Sequence, residues 1–210
     1  MDALADACRA LPVFPLPRTV LLPGALLPLH VFEPRYRALV AHCLEHRRPL
    51  GVATVRTGHD PDQEPAPPLW PEVGVGELVG HQPFPDGRSN IVLQYVGRIR
   101  IAEELPSEHP FRLVRGEVVG EDDDGAEPAL AALRLLVLQL GMGAPAAAGE
   151  ARRLVLLEGM ELVDALARRL LLEPDAQREY LGAARAVDRI ALVQQHLAGL
   201  MVPTGSVGNA

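Results

Sequence analysis

His42-Cys43-Leu44-Glu45-His46 is the stretch of this sequence whose residue types and spacing could do the sharpest chemistry. It fits the pattern H-x-x-E-H, in which two histidines one helical turn apart bind zinc and the glutamate acts as general base. A zinc-dependent hydrolase built on His42, Glu45 and His46 is therefore one reading. It lacks an identifiable third ligand, and Arg47 and Arg48 beside it disfavour a cation. The stretch is expected instead to be the exposed polar face of a helix, with no metal and no cofactor. Glu121-Asp122-Asp123-Asp124 could attract calcium, but the D-x-D-x-D-G spacing with a later bidentate glutamate is missing. Arg152, Arg153, Arg168 and Arg169 could form a basic strip for RNA, with a solvated helix face as the plainer expectation. Two aromatic residues are candidates for binding: Trp70, the single tryptophan, where a proline-rich loop enters a strand, and Phe84, beside a hairpin turn. Glu33, Arg35 and Tyr36 are expected to anchor a helix to the sheet, and Tyr36 is a third binding candidate.

The elements that must hold these residues fall into two textures. From Leu11 to Phe32 short apolar runs alternate with proline, which disfavours helix and predicts short, edge-type strands. Pro34 suits a first helical turn, and Tyr36, Leu39, Val40, Cys43 and Leu44 recur at helical spacing up to Pro49. Gly51 to Thr57 reads as a buried strand, and Gly58 to Pro71 as a proline-rich acidic loop. Strands over 73–84 and 89–102 flank Pro85-Asp86-Gly87-Arg88, where Asp-Gly supplies the positive φ of a tight turn. In the second of these, Ile91, Leu93, Tyr95, Ile99 and Ile101 alternate with Gln94, Arg98 and Arg100, which predicts a solvated outer face carrying the arginines. A last strand covers 111–119. Beyond it the pattern turns helical: Leu130, Leu133, Val137 and Leu140 mark one helix, Leu154, Leu162, Leu166 and Leu170 a long second one, and Ile190, Val193, Leu197 and Leu200 a final helix capped by Asp188, with a shorter helical stretch between. The expected organisation is a β-rich domain at 1–120, an acidic linker at 121–128, a helical bundle at 129–202 and a flexible tail at 203–210.

Composition narrows the functions. The chain has 210 residues, 48% hydrophobic and 22% charged, enough for a real core, and a net charge of −7 that repels a phosphate backbone, so no nucleic-acid partner is expected. Cys8 and Cys43 are expected as reduced thiols, which fits the cytoplasm. Asp2, Asp6 and the prolines from Pro12 to Pro28 leave no secretory signal pattern, and the apolar helical stretches carry Arg and Glu too often to predict a membrane span. All twenty basic Lys+Arg positions are arginine.

The run Leu11-Pro12-Val13-Phe14-Pro15-Leu16-Pro17, through Leu21-Leu22-Pro23-Gly24 to Leu27-Pro28-Leu29-His30-Val31-Phe32-Glu33-Pro34-Arg35-Tyr36, closely resembles the opening of the Lon protease amino-terminal domain family. Trp70-Pro71-Glu72-Val73-Gly74, Pro85-Asp86-Gly87-Arg88 and Tyr95-Val96-Gly97-Arg98 extend the resemblance, and 161–172 and the stretch after Pro174 look like the family's closing helices. The resemblance implies an α+β fold: a PUA-like six-stranded β pseudo-barrel with one packed helix, then a C-terminal helical bundle. It also implies a non-catalytic role in binding unfolded or partner polypeptide. The family's peptidase uses a Ser-Lys dyad and its ATPase a glycine-rich loop ending in Gly-Lys; a stretch without lysine forms neither. Since PUA-like barrels also occur in RNA-binding proteins, an RNA-binding module is the remaining alternative.

Overall fold

The computed structural model describes residues 2–60, 63–143, 146 and 148–201. In chain order the elements are α1 (Asp2–Ala7), β1 (Leu11–Leu16), β2 (Leu26–Val31), α2 (Pro34–His46), β3 (Leu50–Val55), β4 (Leu69–Pro83), β5 (Ser89–Leu105), β6 (Arg112–Val118), α3 (Ala126–Gly143), α4 (Ala148–Leu154), α5 (Gly159–Leu170), α6 (Pro174–Gly182) and α7 (Ala186–Met201). They divide into two compact units, Met1–Gly120 with Glu173–Gly182, and Glu121–Leu172 with Ala183–Ala210. The helix α6, which sequence spacing assigns to the bundle, thus groups with the strands. The expected tail at 203–210 lies outside the described residues.

The first unit is one six-stranded sheet in the order β2-β5-β4-β3-β1-β6, closed on itself by a second pairing between β5 and β6. Closure is possible because β5 is 17 residues long: its first half pairs with β2 and its second half with β6, while β4 runs beside both. Register shifts at Val75/Gly76 and Leu78/Gly80 in the β4–β5 pair, and at Ile101/Glu103 in the β5–β6 pair, bend the ribbon, as bulges do. At the β4–β5 turn Gly87 has φ 83, and the guanidinium of Arg37 occupies the place a Cβ would take.

Edge placement of the proline-bearing strands holds for β2, which pairs with β5 alone, but not for β1. β1 tolerates two prolines inside the sheet because its neighbours divide it. Residues 11–13 pair with β6 and residues 13–16 with β3, overlapping at Val13, so Pro12 and Pro15 each lie beside one ladder rather than two.

Every residue of β3 is buried, because the sheet has apolar material on both faces. Leu50 and Val52 join Phe14, Tyr36, Leu39 and Val40 under α2, while Ala53 joins Leu11, Val13, Val73, Val75 and Ile99 in a second cluster. Tyr36 fixes α2 to the sheet: its ring stacks on Phe14 at 4.0 Å and its hydroxyl donates to the Pro15 carbonyl at 3.1 Å. Arg98, expected on a solvated face, is 2% exposed. It donates to the Leu181 carbonyl at 2.9 Å and the Gly120 carbonyl at 3.1 Å, so α6 covers the face on which it lies.

The second unit is helical, with α3 packed on α4 and α7, and α5 on α7. The single long helix expected over 154–170 is two. Arg134 donates to the carbonyls of Val155 and Leu157, groups a continuous helix would bond internally, and Gly159 takes φ 46 at the start of α5. Asp188 does not cap α7, which begins two residues earlier; the Ala186 N–H donates to the Asp122 carbonyl at 2.7 Å. Nor is 121–128 a solvated linker throughout: Glu121 pairs at 2.5 Å with Arg189, which is 1% exposed and also held by Asp164, and α3 starts at Ala126. α3 also overturns the expectation that no helix is apolar enough to span a membrane. Its 18 residues, with mean hydropathy 1.2, meet that requirement by length and composition. Leu130, Leu133 and Val137 are buried, and Leu135 and Met142 are exposed.

Arg189→Ala removes the buried cation that Glu121 and Asp164 share and should lower the stability of the helical unit by about 3 kcal/mol in urea unfolding. Both cysteines are free and buried, and burial pushes the Cys43 thiol up to about 12 and raises that of Cys8. Thiol titration at about pH 8 should therefore detect neither in the folded protein and both after denaturation.

Candidate functional site

The three aromatic candidates do not meet. Tyr36 is 4% exposed and belongs to the core, with the Arg35 guanidinium 4.6 Å from its ring centroid and Arg35 itself paired to Glu33 at 2.8 Å. Trp70 and Phe84 sit at opposite ends of β4, roughly 46 Å apart along the strand path at about 3.3 Å per residue. Each end carries its own surface.

At the Phe84 end the exposed apolar groups gather on the edge strand. β2 alternates, with Leu26, Pro28 and His30 outward, Leu27 and Leu29 half-buried and Val31 buried. Leu26 is 63% exposed and Phe32, just beyond the strand, 58%. The His30 ring lies 6.1 Å from both Phe32 and half-buried Phe84, and its Nδ1 is 2.8 Å from the Asn90 side-chain oxygen on β5. Opposite Pro28 stands Val92. The result is an apolar strip, with polar His30 and Asn90 near its Phe84 end, along a strand whose outer edge pairs with nothing among the described residues.

At the Trp70 end lies a groove of about 370 Å³. The guanidinium carbons of Arg178 and Arg56 are 3.8 and 5.0 Å from the indole centroid. Arg178 reaches there from α6 and is 9% exposed; Arg56 follows β3 and donates through Nε to the Leu69 carbonyl at 3.1 Å. Arg18, in the turn after β1 and also on the groove, has φ 55, one of two non-glycine residues with positive φ among the described residues. The other, Arg47, is explained by its place at the end of α2, where its N–H donates to the Cys43 carbonyl.

The His-x-x-Glu-His helix presents a different group from the zinc set. His42 and His46 have ring centroids 4.4 Å apart, and His109, unpaired with them in sequence, brings its ring 5.0 Å from His42 and stacks on Phe111 at 4.7 Å. Glu45 is exposed, and the His46 Nδ1 is 2.9 Å from the His42 carbonyl. Among the described residues no three such groups are placed to hold a metal ion. In the suggested basic strip, Arg169 is paired with Glu150 at 2.8 Å.

The sequence pattern that defines the ATP-dependent protease La (LON) substrate-binding domain matches residues 10–199. The chain belongs to that family. It is 32% identical over 122 residues to the Lon protease of Dictyoglomus thermophilum, covering 58% of this chain and 15% of that enzyme. With the Lon protease of Anaeromyxobacter dehalogenans it shares 27% identity over 199 residues, 91% of this chain and 23% of that enzyme. The chain thus spans less than a quarter of the length of either Lon protease. In fold it is similar to the N-terminal domain of a Mycobacterium avium complex Lon protease, with TM-score 0.68 at 16% identity over 90% of this chain and 98% of that one. A Lon N-terminal domain protein from Xanthomonas campestris gives TM-score 0.63 at 21% identity over 89% and 97%.

In this Lon-family domain, Leu26, Phe32, Arg18, Arg178 and His109 were not singled out from sequence. Leu26 and Phe32 could have been, since apolar residues on a proline-bearing edge strand have little core to enter. Arg178 and His109 acquire meaning only through tertiary contact.

Burial, then His46, His109 and Arg48, hold the His42 imidazole below its ordinary 6.5, against the opposing pull of Glu45. The folded state binds that proton less readily than the unfolded one, so the stability it contributes is whole above 6.5 and is lost as pH falls through the folded value. His42→Gln should flatten the dependence of the urea midpoint on pH between about pH 7.5 and 5.

Proposed function

We propose that this Lon-family domain binds extended polypeptide along β2, without itself cleaving peptide or hydrolysing nucleotide. The observation that carries the reading is the exposure of Leu26 on, and Phe32 just beyond, a strand that among the described residues is paired on one side only. An incoming segment could bury these side chains and hydrogen-bond to the free strand edge, with Pro28 removing one donor. Main-chain pairing tolerates varied sequence, and the apolar strip with His30 and Phe84 sets a preference for apolar side chains. The absence of lysine supports a role without the Ser-Lys and Gly-Lys machinery of the longer relatives. The closed sheet with α2 across it fits the PUA-like pseudo-barrel, and the helices of the second unit fit a bundle. Two free buried thiols fit a reducing, cytoplasmic setting.

Fluorescence anisotropy of a labelled, permanently unfolded, uncharged polypeptide tests this directly. Saturable binding is expected, with the folded form of the same chain as a non-binding control. Leu26→Ser and Phe32→Ser should each weaken it about tenfold, since burying such a side chain contributes roughly 1.5–3 kcal/mol. Unchanged affinity in the double variant would remove β2 as the binding surface.

A further inference from the structure

We infer that the groove beside Trp70 is a carboxylate-binding site, which takes an acidic side chain of a bound polypeptide. The inference rests on the polypeptide-binding reading for the class of ligand alone. Three arginines from three separate segments converge there: Arg18 after β1, Arg56 after β3 and Arg178 on α6, around a groove of about 370 Å³. Arginine is the cation whose planar fork matches a carboxylate in two parallel hydrogen bonds.

Arg178 is under-satisfied for its depth. It is nine-tenths buried, its Nε has no hydrogen-bond partner among the described residues, and its carboxylate partner Asp175, at 2.6 Å, has a side chain 80% exposed. A buried guanidinium normally has its donors filled, because desolvating an unpaired one costs free energy. Arg18 sits at φ 55 in the Pro17-Arg18 turn that follows β1, a turn that sets it on the rim of the groove.

The groove already displays the chemistry it would accept. Glu173 pairs with Arg18 at 3.2 Å and Asp175 with Arg178, and both carboxylates stand mostly in water. The Arg18–Glu173 pair, exposed on both sides, contributes little, so a ligand carboxylate could replace Glu173 at small cost, and Asp175 is held from the exposed side only. Glu173 and Asp175 are then internal competitors, and the ligand sits where one of them now sits. The net charge of −7 opposes an acidic chain at a distance, so selectivity arises only at contact. The same field penalises a phosphate dianion more than a carboxylate.

The test uses the intact protein with fluorescein-labelled hexaglutamate and hexaglutamine, read by anisotropy. Hexaglutamate should bind about tenfold more tightly than hexaglutamine, with Arg56→Gln and Arg18→Gln each erasing most of the difference. Asp175→Asn and Glu173→Gln should tighten hexaglutamate binding about threefold, a gain that a merely structural role for these residues would not produce. Arg178→Gln is judged only together with its thermal unfolding, because that side chain also packs on Trp70. Equal binding of the two peptides, indifference to Arg56→Gln, or displacement by inorganic phosphate at lower concentration than by acetate would overturn the assignment. Binding of the uncharged unfolded chain through β2 with no preference for hexaglutamate would sink the groove alone; absence of binding by every peptide would sink both readings.

Discussion

The edge of a sheet presents a row of unpaired backbone N–H and C=O groups, and the first unit reduces that exposure by closing its sheet through β5. One strand of 17 residues serves β2, β4 and β6, so the sheet closes and, among the described strands, β2 is the one left outside the ring. Bulges at the β4–β5 and β5–β6 pairings supply the curvature, and α2 closes one face through Tyr36. The same geometry that hides five strands leaves the sixth open. Among the described residues the outer edge of β2 is therefore what remains unpaired when the other strands have been satisfied.

Arginine does the joining work in both units. Arg98 bonds carbonyls at the end of α6 and after β6, Arg134 takes the carbonyls that interrupt a helix, and Arg189 gathers two carboxylates inside the helical unit. Its five donors and permanent charge suit such multi-point tasks, where a lysine would offer one point charge. The lysine-free composition thus has a structural side.

How much of this could be read from sequence depended on how local each cause was. The β4–β5 hairpin was legible because Asp86-Gly87 and the alternating strands lie side by side in the chain. The helix α2 was legible from Pro34 and its 3.6-residue stripe, and the membership of the family from the apolar-proline opening. The burial of Arg98 was not, since nothing near it announces that residues 173–182 will cover it. The break between α4 and α5 depends on Arg134, about twenty residues away. Of the site, Trp70 was visible as an amphipathic residue, but its arginine neighbours, Arg178 on α6 and Arg56 after β3, were not, and Tyr36 turned out to be a core residue because Phe14 and Pro15 are its partners.

The assignment of α6 to the strand-built unit gives the protein a discontinuous domain, with a bearing on its biosynthesis. When residue 120 leaves the ribosome every strand has been made, yet Arg98 still lacks the Leu181 carbonyl and Trp70 lacks Arg178. At about 5–20 residues per second the intervening 121–172 stretch takes roughly 3–10 s to synthesise. Throughout that interval the nascent closed sheet stands with one face uncovered, its completion timed by the translation of three helices that belong to another part of the molecule.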